Sequence, residues 1–195
     1  MDSSFQYDQF VLKKQIVSLT GILRIFNPGG QLVLYCQQKI FRIKEDIRVY
    51  SDDSKSREVL IIKARQVLDF SAYFDVMDSQ YSTKVGGFRR KGIRSLVQDE
   101  WEVFNPQDNL IGILKEDSLN RALLRRFLLG RLLPQDYDLR AGMDQLADYK
   151  QEFNLLQYIM HIDFRKDAES ILDHRLGLAA AILLAIIEGK QHREG

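Results

Sequence analysis

The stretch Leu176–Ile187, LGLAAAILLAII, has twelve residues without a polar side chain, between Arg175 and Glu188. A helix that is apolar on every side has no face for water, so protein or lipid must enclose it. At ~1.5 Å per residue it would be roughly 18 Å long, which is short for a hydrocarbon core of roughly 30 Å. We therefore predict a core helix, with Asp167 as its N-cap and Gly189 at its C-terminal end.

The chain before this helix is dominated by a period of two. In residues 60–65 and 68–77, apolar side chains alternate with mostly polar ones, which is typical of strands with one wet face. Short strands joined by tight turns favour antiparallel pairing. Further strands are predicted at residues 22–27, 31–35, 39–44, 47–50, 81–88, 97–104, 110–115, 145–150 and 157–164.

One pattern occurs twice in the chain. Residues 24–33 (RIFNPGGQLV) and 102–111 (EVFNPQDNLI) share Phe-Asn-Pro in the same apolar frame. Asn before Pro, followed by small or polar residues, favours a β-turn. Both copies therefore predict a hairpin, and the repeat suggests a fold with two related halves.

An antiparallel sheet with one apolar face can curl around an apolar helix, and closure removes its exposed edges. We therefore predict an α+β, mainly β fold, in which a closed β-barrel holds the C-terminal helix in its bore. Asp173 and Arg175 would form a polar collar at the mouth of this helix. A two-layer sheet with helices on one face is the competing geometry. The length of 195 residues fits one domain, 1–195.

Residues 118–133, SLNRALLRRFLLGRLL, lack the alternation, and Pro134 follows them, so an additional helix is predicted there. Leucines surround most of this helix, which fits a membrane-surface or partner-binding element. The alternative is a plug across one barrel end, with its arginines paired to acids elsewhere. These arginines are Arg121, Arg125, Arg126 and Arg131.

Composition argues against several function classes. The 28 basic and 27 acidic residues give no global attraction to nucleic acid. Cys36 is the single cysteine, which excludes an internal disulfide and fits a reducing cytoplasm. The N-terminus has neither a basic nor an apolar region typical of a secretory signal. No HExxH, GxSxG or EF-hand pattern accompanies the histidines, so we expect no metal, no cofactor and no enzyme; the histidines are His161, His174 and His192.

Four segments together resemble the LURP-one-related family of the tubby C-terminal-like superfamily, which also contains the phospholipid scramblases. They are 73–92 (YFDVMDSQYSTKVGGFRRKG), 101–105 (WEVFN), 111–117 (IGILKED) and 173–184 (DHRLGLAAAILL). The resemblance runs over roughly 21–188. It implies a single tubby-like domain, a closed barrel of about twelve antiparallel strands around a buried C-terminal helix. The helix at 118–133 looks longer than such a barrel needs, so the resemblance implies no role for it.

The segment 84–94, KVGGFRRKGIR, is rich in cations, and no acid lies between Asp78 and Asp99. Clustered guanidinium and ammonium groups beside glycine N–H donors can hold a phosphate. Tubby-like domains bind phosphoinositide head groups through basic residues, so the resemblance implies the same chemistry. The alternative is a solvated strand edge that discourages aggregation. The candidate ligand-binding residues are Lys84, Arg89, Arg90, Lys91 and Arg94.

The leading hypothesis is a non-enzymatic binding module that contacts anionic phospholipid head groups, or another phosphorylated ligand, through this basic hairpin. Such a protein would be cytoplasmic and peripheral at a membrane surface. The alternatives are a protein-interaction or scaffold role for the helix at 118–133, and scramblase-like lipid handling. The lack of a separate transmembrane segment weighs against the last of these.

Overall fold

The computed structural model describes residues 2–15, 20–39, 46–68, 71–91, 100–117 and 134–191. A one-turn 3-10 helix, Ser3–Phe5, precedes a barrel of twelve strands, and the helix α1 (His174–Gln191) follows it. The strands are β1 (Gln9–Gln15), β2 (Thr20–Phe26), β3 (Leu32–Lys39), β4 (Ile47–Tyr50), β5 (Glu58–Leu68), β6 (Ser71–Asp78), β7 (Thr83–Arg90), β8 (Glu100–Phe104), β9 (Leu110–Glu116), β10 (Asp136–Ala141), β11 (Asp144–Glu152) and β12 (Gln157–Asp163).

The barrel is closed because its first and last strands pair. Each strand is antiparallel to its neighbours in sequence, and β1 pairs with β12 from Gln9 opposite Asp163 to Gln15 opposite Gln157. Every strand therefore has two partners, and closure leaves no unpaired edge. The predicted closed barrel is confirmed, and the competing two-layer geometry is wrong.

The helix α1 forms the centre of the core. Every apolar side chain from Leu176 to Ile187 is at most 9% exposed. The inward-facing side chains of the strands form one apolar cluster with this helix. The prediction of an enclosed core helix is confirmed.

Two glycines allow α1 to approach the barrel wall closely. A Cβ on Gly177 would lie 2.6 Å from the ring of Phe164, and a Cβ on Gly86 would lie 2.8 Å from the side chain of Leu176. The hydroxyl of Tyr149, which is fully buried, donates a hydrogen bond to the carbonyl of Gly177 at 3.0 Å. These contacts set the depth of the helix in the bore.

A polar collar surrounds the start of α1, as predicted. The Arg175 guanidinium lies 2.5 Å from the carboxylate of Asp173 and 2.6 Å from that of Asp78 at the end of β6. The collar therefore joins the helix to the barrel rim.

The predicted ends of α1 were wrong. The helix begins at His174, because the carboxylate of Asp173 accepts a hydrogen bond from the backbone N–H of Arg175 and acts as the N-cap. The carboxylate of Asp167 instead accepts from two N–H groups in the turn before the helix. At the other end, the helix continues to Gln191.

Two strands were not predicted. In β1, the polar run Lys13-Lys14-Gln15 obscures the alternation that Phe10 and Leu12 begin. In β10, only Tyr137 and Leu139 are apolar and buried among charged neighbours. Both strands have too many polar residues for a period-two pattern to stand out.

The two Phe-Asn-Pro segments form matching turns. Asn27 N donates to Gln31 O at 3.0 Å, and the Asn27 side chain accepts from Gln31 N at 3.0 Å. Asn105 N donates to Asn109 O at 2.9 Å, and the Asn105 side chain accepts from Asn109 N at 2.9 Å. Both predicted hairpins are confirmed, with the same hydrogen bonds in each.

The backbone of the two turns also agrees. Gly30 and Asp108 occupy the same place in their turns, with φ of 77° and 61°. The turns join β2 to β3 and β8 to β9, which lie on opposite sides of the twelve-strand cycle. This arrangement supports the interpretation of the barrel as two related halves.

Candidate functional site

The interior of the barrel is occupied by the chain itself. Apolar side chains of α1 fill the bore, so a ligand has to bind on the outside. Cys36 also points into this core, and burial raises the pKa of its thiol to about 12. A thiol with that pKa stays protonated at neutral pH and is a poor nucleophile.

The described histidines have ordinary partners. His161 Nε2 lies 3.1 Å from the carboxylate of Glu152 on the outer face. His174 Nδ1 lies 3.0 Å from the carbonyl of Phe5, at the mouth of the barrel. His192 lies outside the described residues. In the part of the chain that the structure describes, no three His, Cys, Asp or Glu side chains are grouped to hold a metal ion.

Of the predicted ligand-binding residues, Lys84 lies on the outer face between two carboxylates. Its Nζ is 3.1 Å from Asp75 and 2.5 Å from Asp108. The hydrogen bonds from Lys84 and from the hydroxyl of Tyr73 hold the pKa of Asp108 at about 2. The charge of Lys84 is therefore compensated within the sheet.

Arg89 and Lys91 are compensated in the same way. The Arg89 guanidinium lies 2.5 Å from the carboxylate of Glu102 on β8. Lys91 Nζ lies 2.6 Å from Glu100 and 3.6 Å from Glu102. The hydrogen bond that Lys91 donates to the carboxylate of Glu100 raises the pKa of Lys91. Acids of β8 thus form ion pairs with the cations at the end of β7.

The remaining two predicted residues are not brought into this group. Arg90 lies on the opposite face of β7 from Arg89, with its Cζ 5.8 Å from the ring centre of Trp101. Arg94 lies outside the described residues. The structure therefore brings Lys84, Arg89 and Lys91 to one outer face, each beside a carboxylate.

Aromatic rings connect this face across β5 to β8. The rings of Tyr73 and Phe104 stack with centres 5.7 Å apart. The Arg65 guanidinium lies 4.3 Å from the Tyr73 ring, and that of Arg89 lies 5.3 Å from the Phe104 ring. Gly87 makes room for Tyr73, because a Cβ there would lie 3.3 Å from its ring. The result is a pair of stacked rings with one guanidinium at each end.

A second basic surface lies on β1 and β2, and it was not predicted from the sequence. Lys13 and Arg24 stand directly opposite each other on the outer face. Lys13 Nζ lies 5.4 Å from the ring centre of Phe26, and Arg24 Cζ lies 5.6 Å from that of Tyr35. Among the described residues, no carboxylate forms an ion pair with either cation.

The two basic surfaces are equivalent in the repeat. In each, a cation lies over the Phe of a Phe-Asn-Pro turn, and the residue opposite that cation comes two positions before the Phe. The equivalent residues are Lys13 and Arg89, Phe26 and Phe104, and Arg24 and Glu102. The sequence repeat already aligned Arg24 with Glu102, but without β1 the partner of Arg24 could not be predicted.

An acidic row crosses the outer face of β10, β11 and β12. Each of these acids forms an ion pair with the cation two residues further along the chain, at distances of 3.4, 2.7 and 2.6 Å. The pairs are Asp138 with Arg140, Asp148 with Lys150, and Asp163 with Arg165. Burial, followed by the charges of Asp117 and Asp148, raises the pKa of Asp138.

A shallow hollow of about 230 Å³ lies beside this row. Its polar groups already hydrogen-bond one another, as Gln9 does with Asp163 at 3.1 Å. Its lining comprises Gln9, Phe10, Val11, Pro28, Asp148, Lys150, His161, Ile162 and Asp163.

The second predicted patch, at 118–133, lies outside the described residues. A membrane-surface or partner-binding helix with Arg121, Arg125, Arg126 and Arg131 stays a prediction. Within the described ranges, no helix has both the length and the apolar character needed to span a membrane.

Comparison with known proteins agrees with this architecture. A family model described as LURP-one-related matches residues 32–184. The fold is similar to that of a protein from Arabidopsis thaliana solved by X-ray crystallography, with a TM-score of 0.55, 12% sequence identity and coverage of 96% of each chain. No curated protein matches the chain by sequence. At 12% identity, the structural likeness shows the fold alone.

Proposed function

The chain belongs to the LURP-one-related family, and we propose that it is a non-enzymatic binding module for anionic phospholipid head groups or another phosphorylated ligand. The family and its barrel fold suggest a binding module. The observation that carries the proposal is the filled bore, since it leaves only the outer surface for a ligand. Cations on that surface supply the charge that a phosphate requires.

The proposed contacts are Lys84, Arg89, Arg90, Lys91 and Arg94, of which the first three lie on β7 and Lys91 directly follows it. Arg89 is the best placed of the described ones, because its side chain is 50% exposed beside a Glu102 that is only 13% exposed. A phosphate monoester carries about 1.5 to 2 negative charges, so it can compete with a single carboxylate for the guanidinium. Binding through β7 is therefore expected to be weak and sensitive to salt.

The test is co-sedimentation with vesicles of phosphatidylcholine, with and without phosphatidate. Arg89→Gln removes the cation, and we expect about fivefold lower retention on acidic vesicles, from about 1 kcal/mol per surface charge. Glu102→Gln removes the competing carboxylate, and we expect retention to rise by a similar factor. Both changes affect a surface ion pair, which contributes little to folding.

The matched pair makes the test specific. A membrane contact that does not depend on charge would leave Glu102→Gln like the wild type. Equal recovery of the wild-type protein on neutral and acidic vesicles would overturn the proposal of an anionic ligand.

A further inference from the structure

Lys13 and Arg24 are two like charges that stand directly opposite each other on paired strands. Like charges directly opposite each other on paired strands are destabilising. Some of the remaining Lys and Arg residues in the described strand registers also stand opposite a charged side chain. In each of these pairs, that side chain is an Asp or a Glu. Only the pairing of Lys13 with Arg24 sets two cations against each other.

Neighbouring strands do not relieve this repulsion. Lys13 stands opposite Ile159 on β12, and Arg24 stands opposite Tyr35 on β3. The acidic row on β10 to β12 also opposes like charges, but each of its aspartates forms an ion pair with the cation two residues further along the chain. The described part of the chain offers no such partner to the two cations.

Aromatic rings hold the two cations without neutralising them. Phe26 lies beneath Lys13, and Tyr35, which is 5% exposed, lies beneath Arg24. A cation–π contact at an exposed site contributes about 0.5–1 kcal/mol and leaves the N–H donors free. The rings therefore orient a guanidinium and an ammonium group while both keep their charge and their donors.

From this geometry we infer that Lys13 and Arg24 form an anion site on the outer face of β1 and β2, which binds a phosphate monoester. One carboxylate would leave a positive charge uncompensated, whereas a phosphate monoester carries up to two negative charges. Its oxygens accept hydrogen bonds from both the guanidinium and the ammonium group. A lipid head group and a soluble phosphate ester share this chemistry.

This inference rests on the proposed function for the class of ligand, and it assigns that ligand to a different surface. The equivalent place on β7 and β8 has Glu102 where this one has Arg24. One copy of the repeat thus carries an internal counter-ion, and the other requires an external one.

The experiment uses the full chain and three variants of the site, Lys13→Gln, Arg24→Gln and Arg24→Glu. On phosphatidylcholine vesicles containing phosphatidate, we expect each Gln variant to lose about fivefold in retention. Arg24→Glu should lose more retention than either Gln variant, because it also supplies Lys13 with a carboxylate. The control Lys115→Gln removes one exposed cation that stands opposite Glu100 and Asp138, and it should bind like the wild type.

A second arm identifies the source of the phosphate. Glycerol 3-phosphate is titrated into the protein while backbone amide signals of β1 and β2 are followed by NMR. Shifts at Lys13 and Arg24 that are absent in Arg24→Glu indicate a soluble ester as ligand. Vesicle binding without these shifts indicates that the phosphate must be presented by a lipid surface.

Two results separate this inference from the proposed function. If Lys13→Gln and Arg24→Glu bind acidic vesicles like the wild type while Arg89→Gln does not, the site on β1 and β2 is excluded and the proposed function stands. If the wild type does not distinguish acidic from neutral vesicles and shows no shifts, both are excluded. Urea unfolding of Arg24→Glu checks folding, and its midpoint should not fall below that of the wild type.

Discussion

The surfaces around β1–β2 and β7–β8 share a backbone frame and a cation–ring contact but differ in charge. Lys13 over Phe26 corresponds to Arg89 over Phe104, at 5.4 and 5.3 Å. Opposite the cation stands Arg24 in the first and Glu102 in the second. The segment richest in cations along the chain is therefore the better neutralised in space.

The comparison shows that a run of cations in a sequence does not by itself make an anion site. The carboxylates that compensate β7 come from the preceding strand and from the hairpin that follows it. In a closed barrel, every outward side chain has neighbours on two other strands, and these neighbours decide whether its charge is available.

The largest expected effect concerns Gly87, which is equivalent to Val11 in the frame of the repeat. Gly87→Val should cost about 3 kcal/mol of unfolding free energy, since overpacking of a tight site costs about 1–3 kcal/mol. A Cβ there would meet the carbonyl oxygen of Phe74 at 2.8 Å. Urea denaturation measures the loss, and the control Val11→Ala should cost less than about 1 kcal/mol. An equal cost for both would mean that the two surfaces tolerate side chains alike.

A charge exchange should change stability in opposite directions on the two surfaces. Arg24→Glu is expected to raise the unfolding free energy by about 0.5 kcal/mol, because an opposite pair replaces a like pair. Glu102→Arg should lower it by about 1 kcal/mol, since it breaks the ion pairs with Arg89 and Lys91 and sets two cations opposite each other. The unfolding midpoints in low salt test this. Destabilisation by both changes would contradict the assigned difference in charge.

The smallest effect is a pH dependence confined to the β8–β9 turn. The folded pKa of Asp108 is about 2, below the usual value of 3.8, so its stabilisation is fully present above the unfolded pKa. It is lost as the pH falls from about 4 toward 2. The difference in stability between wild type and Asp108→Asn should vanish over this range. Gly30 is the equivalent residue in the other turn and has no carboxylate. The difference in stability between the wild type and Gly30→Asn should therefore not change over this pH range. A constant gap between wild type and Asp108→Asn across these pH values would contradict the assignment.

Much of the fold was predictable from local patterns. The apolar run at 176–187 required an enclosure, and the alternation in the strands supplied a sheet able to provide it. The two Asn-Pro turns were recognised from their turn chemistry. The strands β1 and β10 were missed, because strands with few apolar residues do not show a clear period.

The candidate sites were predicted less well, for a physical reason. The cations of the segment 84–94 are evident in the sequence, but Asp75, Asp108 and Glu102 are distant in sequence or separated by turns. Lys13 and Arg24 are separated by ten residues and carry no motif, so their opposition follows from strand register alone.

The sequence by itself determined the enclosed helix, the antiparallel strands and the two matching turns, because these follow from burial and local backbone preference. Only the tertiary structure decided which charges are compensated, because closure of the barrel brings side chains from distant strands within a few ångströms of one another. Electrostatic availability depends on those neighbours and not on the order of residues along the chain.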